Sequence, residues 1–313
     1  MARTRRDIDP SHSVVFRDEL PVPEANLVSY EEIYVLEQWL RRLAYASLMA
    51  RYGPAWRGAL PAALTDDLKR RLRQLSGRVH LDCENSDNVI WLLTLEELRE
   101  VLLATGTWPT VKALSGLPRS LLDVKLSELR DIRNVVGHNR AVSANTTLLT
   151  TAIAVALRVG IDSLKTQLLY DPGKIYVGRR EDHELEWAHN RFREMMAGND
   201  WSRFQYVLSE GEYFYSLTRM PVKPFGVHLS IKLFLGEMGM LAHEVLAVLV
   251  NRSGDEFTLT WPKTSGVAVH ERVMRFFFTA RNAWTPTPYE MQSASASCDP
   301  RIWFYENRRP QVE

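Results

Sequence analysis

The feature that most constrains the fold is the spacing of the apolar residues, which changes near residue 171. Before that point they recur every three or four positions, the period of one face of an α-helix. Gly53-Pro54 ends the first of these segments, and a loop carrying Trp108 separates the third from the fourth. We therefore predict a helical bundle for the first half of the chain. Its predicted helices cover residues 29–52, 60–75, 86–106 (with Thr94 as a candidate break), 120–136 and 143–169.

Beyond "YDPGK" (residues 170–174) apolar and polar residues alternate, which is the period of a β-strand. "NRSGD" (251–255) separates two apolar runs, "EVLAVLV" and "EFTLTW", as the turn of a hairpin does. The second half is therefore predicted to be an α+β domain with a mostly antiparallel sheet. Further predicted elements are strands in "RVMRFFF" (272–278) and "RIWFYE" (301–306) and a helix at residues 181–196.

These patterns divide the chain into three parts. Residues 1–28 contain three prolines and scattered charges without periodicity, which is typical of an N-terminal arm. Ser29 begins "SYEE", a capping box in which the serine accepts from the backbone and Glu32 reaches back, so we place a helix start there. We predict a helical domain over residues 29–170 and the α+β domain over residues 171–313.

The composition is that of a soluble globular protein, with 45% hydrophobic and 25% charged residues and a net charge of +1. Cys83 and Cys298 have no C-x-x-C spacing, so we predict neither a disulfide framework nor a zinc knuckle. Arg158 and Asp162 interrupt the longest apolar run, so we predict a cytoplasmic protein without a membrane span. Because the chain has no phosphate-binding loop motif and no complete zinc motif, we predict no cofactor and no metal.

Three polar residues stand close together in "LSELRDIRNVVGHNRAVS" (residues 126–143), between two strongly apolar helices. They are Arg133, Asn134 and His138, and the intervening Gly137 predicts that the helix ends or kinks there. An imidazole that titrates near neutral pH can move a proton to and from a ribose hydroxyl, and a guanidinium can neutralise charge that develops on a phosphate. An amide can orient either group. The trio is therefore a candidate site for cleaving a phosphodiester without a metal.

The segment "RNVVGHNR", preceded by "LSELRDI" and followed by "AVS", resembles the R-N-x3-H signature of the HEPN superfamily of helical domains. Upstream, "YVLEQWLRRLAYASLMARYGPAW", "LP" and "LKRRL" are similar to the HEPN branch found at the end of a nuclear mRNA quality-control endonuclease. Bacterial relatives of that branch occur in conflict and restriction loci. The resemblance covers residues 29–170, and it departs from the family at Gly137, where Ala is usual.

The resemblance implies a metal-independent endoribonuclease that acts as a homodimer, with the motifs of two protomers facing each other in one composite site. Arg133 would contact the scissile phosphate, and Asn134 would orient the reacting groups. His138 would act as general base or acid while the ribose 2′-hydroxyl attacks, which leaves a 2′,3′-cyclic phosphate. Asn139 and Arg140, which follow the histidine, would bind the RNA substrate. The family association suggests a toxin or antiphage defence effector, with a neutralising or regulatory protein partner.

Two other interpretations of the same residues stay open at the level of sequence. Arg133, Asn134 and His138 could cap carbonyl groups at a helix end, with the arginine paired to Asp131 or Glu128. Alternatively, the helical domain is a non-catalytic module for dimerisation or RNA binding, as in HEPN members that have lost activity. In that case the α+β domain would be a sensor or would bind a partner.

Overall fold

The first half of the chain is helical, as predicted. The computed structural model describes residues 23–76, 89–138, 140–169, 175–176, 204–221, 228–229, 234, 237–251, 256–279, 284–285 and 302–305. Short 3-10 helices lie at Gly53–Ala59 and Val89–Leu92. The α-helices of this half are α1 (Glu24–Tyr52), α2 (Ala62–Ser76), α3 (Leu95–Leu103), α4 (Trp108–Ser115), α5 (Arg119–Gly137) and α6 (Ala144–Leu169).

Helix α1 is the centre of the helical half, because it packs against α3, α4, α5 and α6. Its residues Ile33, Leu36, Leu40 and Leu43 recur at helical spacing, and each is at most 6% exposed. Burying one such side chain contributes roughly 1.5–3 kcal/mol relative to leaving it in water. This face of α1 therefore decides how the other helices are arranged around it.

Several helix boundaries differ from the prediction. Within the described residues, the predicted third helix (86–106) is divided into the 3-10 helix Val89–Leu92 and α3, because Thr94 caps the start of α3 together with Glu97, and α3 ends at Leu103. The predicted start of the first helix at Ser29 is wrong, because α1 begins at Glu24. Ser29 is fully buried inside the helix, and its Oγ lies 3.2 Å from Thr147 Oγ1 on α6. The predicted loop at Trp108 is wrong too, because α4 begins there, with Pro109 in its first turn. Proline has no backbone N–H, and the N–H groups of a first turn have no partner within the helix, so Pro109 costs no helical hydrogen bond.

The second half is built on a mixed sheet that is mostly antiparallel, as predicted. The strands are β1 (Ile175–Tyr176), β2 (Phe204–Glu210), β3 (Phe214–Pro221), β4 (His228–Leu229), β5 (Ala247–Asn251), β6 (Phe257–Pro262), β7 (Trp284–Thr285) and β8 (Ile302–Tyr305). Six of them form one sheet in the order β1-β2-β3-β6-β5-β8, in which only β5 and β8 are parallel neighbours. Strands β4 and β7 pair separately. The predicted hairpin is β5 with β6, and the predicted helix at residues 181–196 lies outside the described residues.

The segment predicted as a strand at residues 272–278 belongs to a helix, α7 (Val267–Thr279). Its β-branched and aromatic residues favoured a strand. The side chains of His270, Val273, Met274 and Phe277 are nevertheless all buried, at the spacing of one helix face. Packing of that face decides the conformation.

The two halves pack against each other where the sheet meets the ends of α1 and α6. The Leu168 carbonyl near the end of α6 accepts hydrogen bonds from Ser216 Oγ at 3.2 Å and from Thr260 Oγ1 at 3.0 Å. On α1, the Tyr45 hydroxyl donates to the Val245 carbonyl at 3.4 Å. One hydrophobic core includes residues of both halves. The division into two domains stays a prediction.

Candidate functional site

Helix α5 carries the predicted catalytic residues at its C-terminal end. One face of the helix is apolar and buried against the bundle, and Arg133 and Asn134 are exposed. The predicted helix end at Gly137 is confirmed, and the exposed His138 follows it. The His138 N–H donates to the Asn134 carbonyl at 3.2 Å. The buried residues of α5 are Leu122, Leu126, Leu129, Ile132 and Val136.

The guanidinium of Arg133 is held by a carboxylate from α1. Arg133 Nε lies 3.6 Å from Glu37 Oε1, with the Arg133 side chain 54% exposed and that of Glu37 13% exposed. The other oxygen of Glu37 accepts from Arg41 Nη2 at 2.9 Å, and this nitrogen also donates to the Leu93 carbonyl at 3.1 Å. Glu37 is therefore shared between a buried arginine of the core and the exposed arginine of the candidate site.

This pairing differs from the one expected of an ordinary helix end. Asp131 pairs with Arg130 at 2.9 Å, and Glu128 pairs with Lys125 at 2.8 Å. The carboxylate that contacts Arg133 comes instead from a helix almost a hundred residues earlier in the chain. The side chain of Arg133 is thus positioned by tertiary structure and not by its own helix.

The guanidinium of Arg133 lies close to Gly137 at the end of the helix. A Cβ placed on Gly137 would lie 3.9 Å from Arg133 Nη1, which is ordinary van der Waals contact. The guanidinium therefore lies over the last residue of α5, directly before His138. An exposed cation and an exposed imidazole are gathered at one helix end.

A second residue of α1, Asn26, holds the loop that follows His138. Asn26 is 7% exposed, and its Nδ2 donates to the Arg140 carbonyl at 2.8 Å while its Oδ1 accepts from the Val142 N–H at 3.0 Å. The Arg140 N–H in turn donates to the Val135 carbonyl at 3.1 Å, the six-to-one bond of a Schellman helix end. The backbone around Arg140 is thereby fastened to both α5 and α1.

The structure describes four of the five predicted site residues, and all four lie at the end of α5. Arg133, Asn134, His138 and Arg140 are exposed around the end of α5. Asn139, predicted to bind substrate, lies outside the described residues. An exposed guanidinium, amide and imidazole grouped in this way can bind a phosphate and exchange protons with a neighbouring hydroxyl.

Sequence reasoning missed the two residues of α1 that hold this site, Asn26 and Glu37. Glu37 carried a weak signal, because it stands within the apolar stripe of α1 and four residues before Arg41, at ion-pairing distance on a helix. Asn26 carried no such signal, because the sequence pattern places it in the predicted arm, before the first predicted helix. Both contacts join segments about a hundred residues apart.

The outer face of α6 is apolar, although it faces solvent. Leu148, Val155 and Val159 are 64–70% exposed, and Ala152 completes the same line of residues, which we name the α6 stripe. By length and composition alone α6 is apolar enough to cross a membrane, with a mean hydropathy of 1.5 and only 28% of its most apolar stretch buried. Its charged residues therefore do not by themselves exclude a span, contrary to the prediction. Exposed apolar surface of this kind marks a contact surface.

Within the described residues, no three His, Cys, Asp or Glu side chains are grouped as a metal site would need. Comparison of the chain with protein-family models, with curated proteins and with solved structures finds no match.

Proposed function

We propose that this chain is a HEPN-type, metal-independent endoribonuclease that works as a cytoplasmic homodimer, as a toxin or an antiphage effector. The observation that carries the proposal is the exposed cluster at the end of α5. There Glu37 holds the Arg133 guanidinium over Gly137, directly before His138. The residue types match those required to bind a phosphate and move a proton.

In the proposed reaction, His138 takes the proton of a ribose 2′-hydroxyl, and the oxygen attacks the adjacent phosphorus. The bond between phosphorus and the 5′-oxygen breaks, and that oxygen receives a proton from an imidazolium. The products are a 2′,3′-cyclic phosphate and a 5′-hydroxyl. Arg133 neutralises the charge that grows on the phosphate oxygens. Asn134 orients the reacting groups by hydrogen bonding, and Asn139 and Arg140 bind the neighbouring RNA.

The α6 stripe supports the homodimer part of the proposal. Leu148, Ala152, Val155 and Val159 are spaced four, three and four residues apart, which is the repeat that lets two helices interlock their side chains. Helix α6 starts six residues after His138, so self-pairing of its first turns would bring the α5 ends of two protomers towards each other. A second copy would cover the apolar face and complete the composite site.

The test is RNA cleavage in EDTA by the wild type beside His138→Ala. We expect the wild type to cut RNA and leave cyclic-phosphate ends, and the variant to lose about a hundredfold or more of this rate, as removal of a general base does. His243→Ala, which also removes an exposed histidine, is the matched control and should keep the rate. Intact RNA after incubation with dimeric wild type would contradict the proposal.

The competing function is a non-catalytic module for dimerisation or RNA binding, whose second half is a sensor or binds a partner. The direct packing of the sheet against α1 and α6 favours this alternative, because ligand binding at the sheet could reach the helices that hold the site. Under this alternative, wild type and His138→Ala would bind RNA equally and neither would cleave it.

A further inference from the structure

Two exposed tyrosines lie one turn apart on α1. Tyr30 is 60% exposed and Tyr34 is 52% exposed. Their ring centroids are 6.5 Å apart and the planes differ by 25°, so the rings are stacked. A tyrosine ring offers a large apolar face that gains free energy when it is covered. These two rings present such faces to solvent.

The two tyrosines share a side of α1 with the residues that hold the candidate site. At 100° per residue, positions 26, 30, 34 and 37 fall within about 80° of one another around the helix. Asn26 binds the backbone on either side of Ala141, and Glu37 binds Arg133. The tyrosines stand between these two contacts along α1, so they border the end of α5.

The neighbouring charges indicate which class of ligand such a pair of rings would bind. Arg133 and Arg140 are exposed guanidiniums at this border, and guanidiniums match phosphate oxygens. Aromatic faces beside cations are the combination that binds single-stranded nucleic acid, because bases stack on the rings while the phosphates meet the charges. In an A-form duplex the base faces are already covered by stacking, so they could not lie on the tyrosines.

We propose that Tyr30 and Tyr34 form a base-stacking platform for the nucleotide next to the scissile phosphate, and that the substrate is therefore unpaired RNA. This inference rests on the proposed endoribonuclease function, since it places a base beside the phosphate that Arg133 and His138 handle. The tyrosines bind substrate by their rings, and their hydroxyls are not required.

The platform is tested by binding of a single-stranded RNA in which every 2′-hydroxyl is methylated, so that it cannot be cleaved. The probe carries 2-aminopurine, whose fluorescence falls when the base stacks, and Kd is measured by anisotropy. We expect Tyr30→Ala with Tyr34→Ala to raise Kd about tenfold or more and to remove the quenching. The double variant with Phe at both positions should bind like the wild type. Val35→Ala, at an exposed position on another side of α1, is the control.

Unchanged Kd and quenching in the double alanine variant would overturn the platform. The platform would also be overturned if the wild type bound a duplex RNA as tightly as the single-stranded RNA. A change from dimer to monomer in the alanine variant would overturn it as well, by assigning the rings to contact between copies. Wild type that stacks the probe but cuts no RNA would refute the endoribonuclease and leave the platform standing. If the wild type cleaved RNA and the double alanine variant bound the probe as tightly as the wild type, the platform would be refuted and the endoribonuclease would stand.

Discussion

At the scale of single residues, the candidate site depends on side chains that belong to the core as much as to the site. Glu37 is largely buried, and its two oxygens contact Arg41 inside the bundle and Arg133 at the surface. Under the proposed function, a change at such a residue should affect stability and activity together. A change at an exposed residue such as His138 should affect activity alone. This difference lets structural and catalytic roles be separated by experiment.

Glu37→Gln should lower both stability and cleavage. The amide keeps a hydrogen-bond acceptor for Arg41 but removes the charge beside a guanidinium that is only 9% exposed, which costs about 1–3 kcal/mol in the free energy of unfolding. Urea denaturation measures this loss, and the cleavage rate should fall because Arg133 is no longer held. Glu31→Gln, at an exposed position of the same helix, should change neither quantity. Equal behaviour of the two variants would contradict the role given to Glu37.

Gly137→Ala should stabilise the chain by about 0.5–1 kcal/mol, because alanine loses less backbone freedom than glycine on entering a helix. The added Cβ meets Arg133 Nη1 only at 3.9 Å, so there is room for it. The midpoint of urea unfolding should rise, and RNA cleavage should be retained. A lower midpoint would mean that the helix end needs the conformational freedom of glycine.

At the scale of elements, α1 and α6 have faces that serve different purposes. The inner face of α1 builds the core, while a second side of the same helix carries Asn26 and Glu37 towards the end of α5. Helix α6 is apolar on both its inner and outer faces. The exposed charges of Arg158 and Asp162 lie on the same helix, and we expect a partner surface to cover the α6 stripe.

Val159→Glu should convert the homodimer into a monomer. A carboxylate within an interface between two α6 stripes would be buried without a partner, which costs far more than the lost apolar contact. Sedimentation equilibrium measures the change, and cleavage should fall with the dimer. Val124→Glu, which changes an exposed valine on α5 in the same way, is the control and should stay dimeric.

A wild type that is monomeric at micromolar concentration would contradict the assignment of the α6 stripe to a second copy. Sedimentation of the wild type, but not of Val159→Glu, with vesicles of neutral phospholipid would assign the stripe to a membrane instead. Both measurements use the full-length chain.

At the scale of the whole molecule, we expect the helical half and the sheet to unfold together, because they share one hydrophobic core. The hydrogen bonds that join them use backbone carbonyls of α6 and of the segment before β5, and side chains of both halves enter one core. A perturbation within the sheet half should therefore reach the helices. His270 on α7 provides such a perturbation, because it titrates.

Acid should destabilise the chain through His270. Burial lowers the pKa of His270 to about 4, and its Nδ1 accepts from Trp261 Nε1 at 2.8 Å. The unfolded chain, with a histidine pKa of about 6.5, binds the proton more readily. Stability is therefore complete above pH 6.5 and falls as the pH drops towards 4, by about 2 kcal/mol between pH 8 and pH 5.

The measurement is urea unfolding at pH 8 and pH 5, followed by both helical circular dichroism and tryptophan fluorescence. His270→Gln keeps an acceptor for Trp261 but cannot take up the proton, so it should lose about 2 kcal/mol less than the wild type over this range. His243→Gln, at an exposed histidine, should match the wild type. Separate transitions for the two signals would show that the halves unfold independently.

The helical first half, the hairpin of β5 and β6, and the end of α5 at Gly137 could all be predicted from the sequence. These features depend on the period of apolar residues and on the conformational preferences of glycine, which neighbouring residues encode. The same local information placed Arg133, Asn134 and His138 together around one helix end. It could do so because they stand within six consecutive positions.

The contacts of those residues, and the places where local preference is overruled, depend on how the helices and the sheet pack. Helix α1 begins at Glu24, and residues 272–278 are helical, because packing of a buried face outweighs a capping motif or a composition rich in aromatic residues. The contacts of Glu37 with Arg133 and of Asn26 with the loop after His138 join positions about a hundred residues apart. No periodicity encodes such pairs, since they exist only once α1 and α5 have packed.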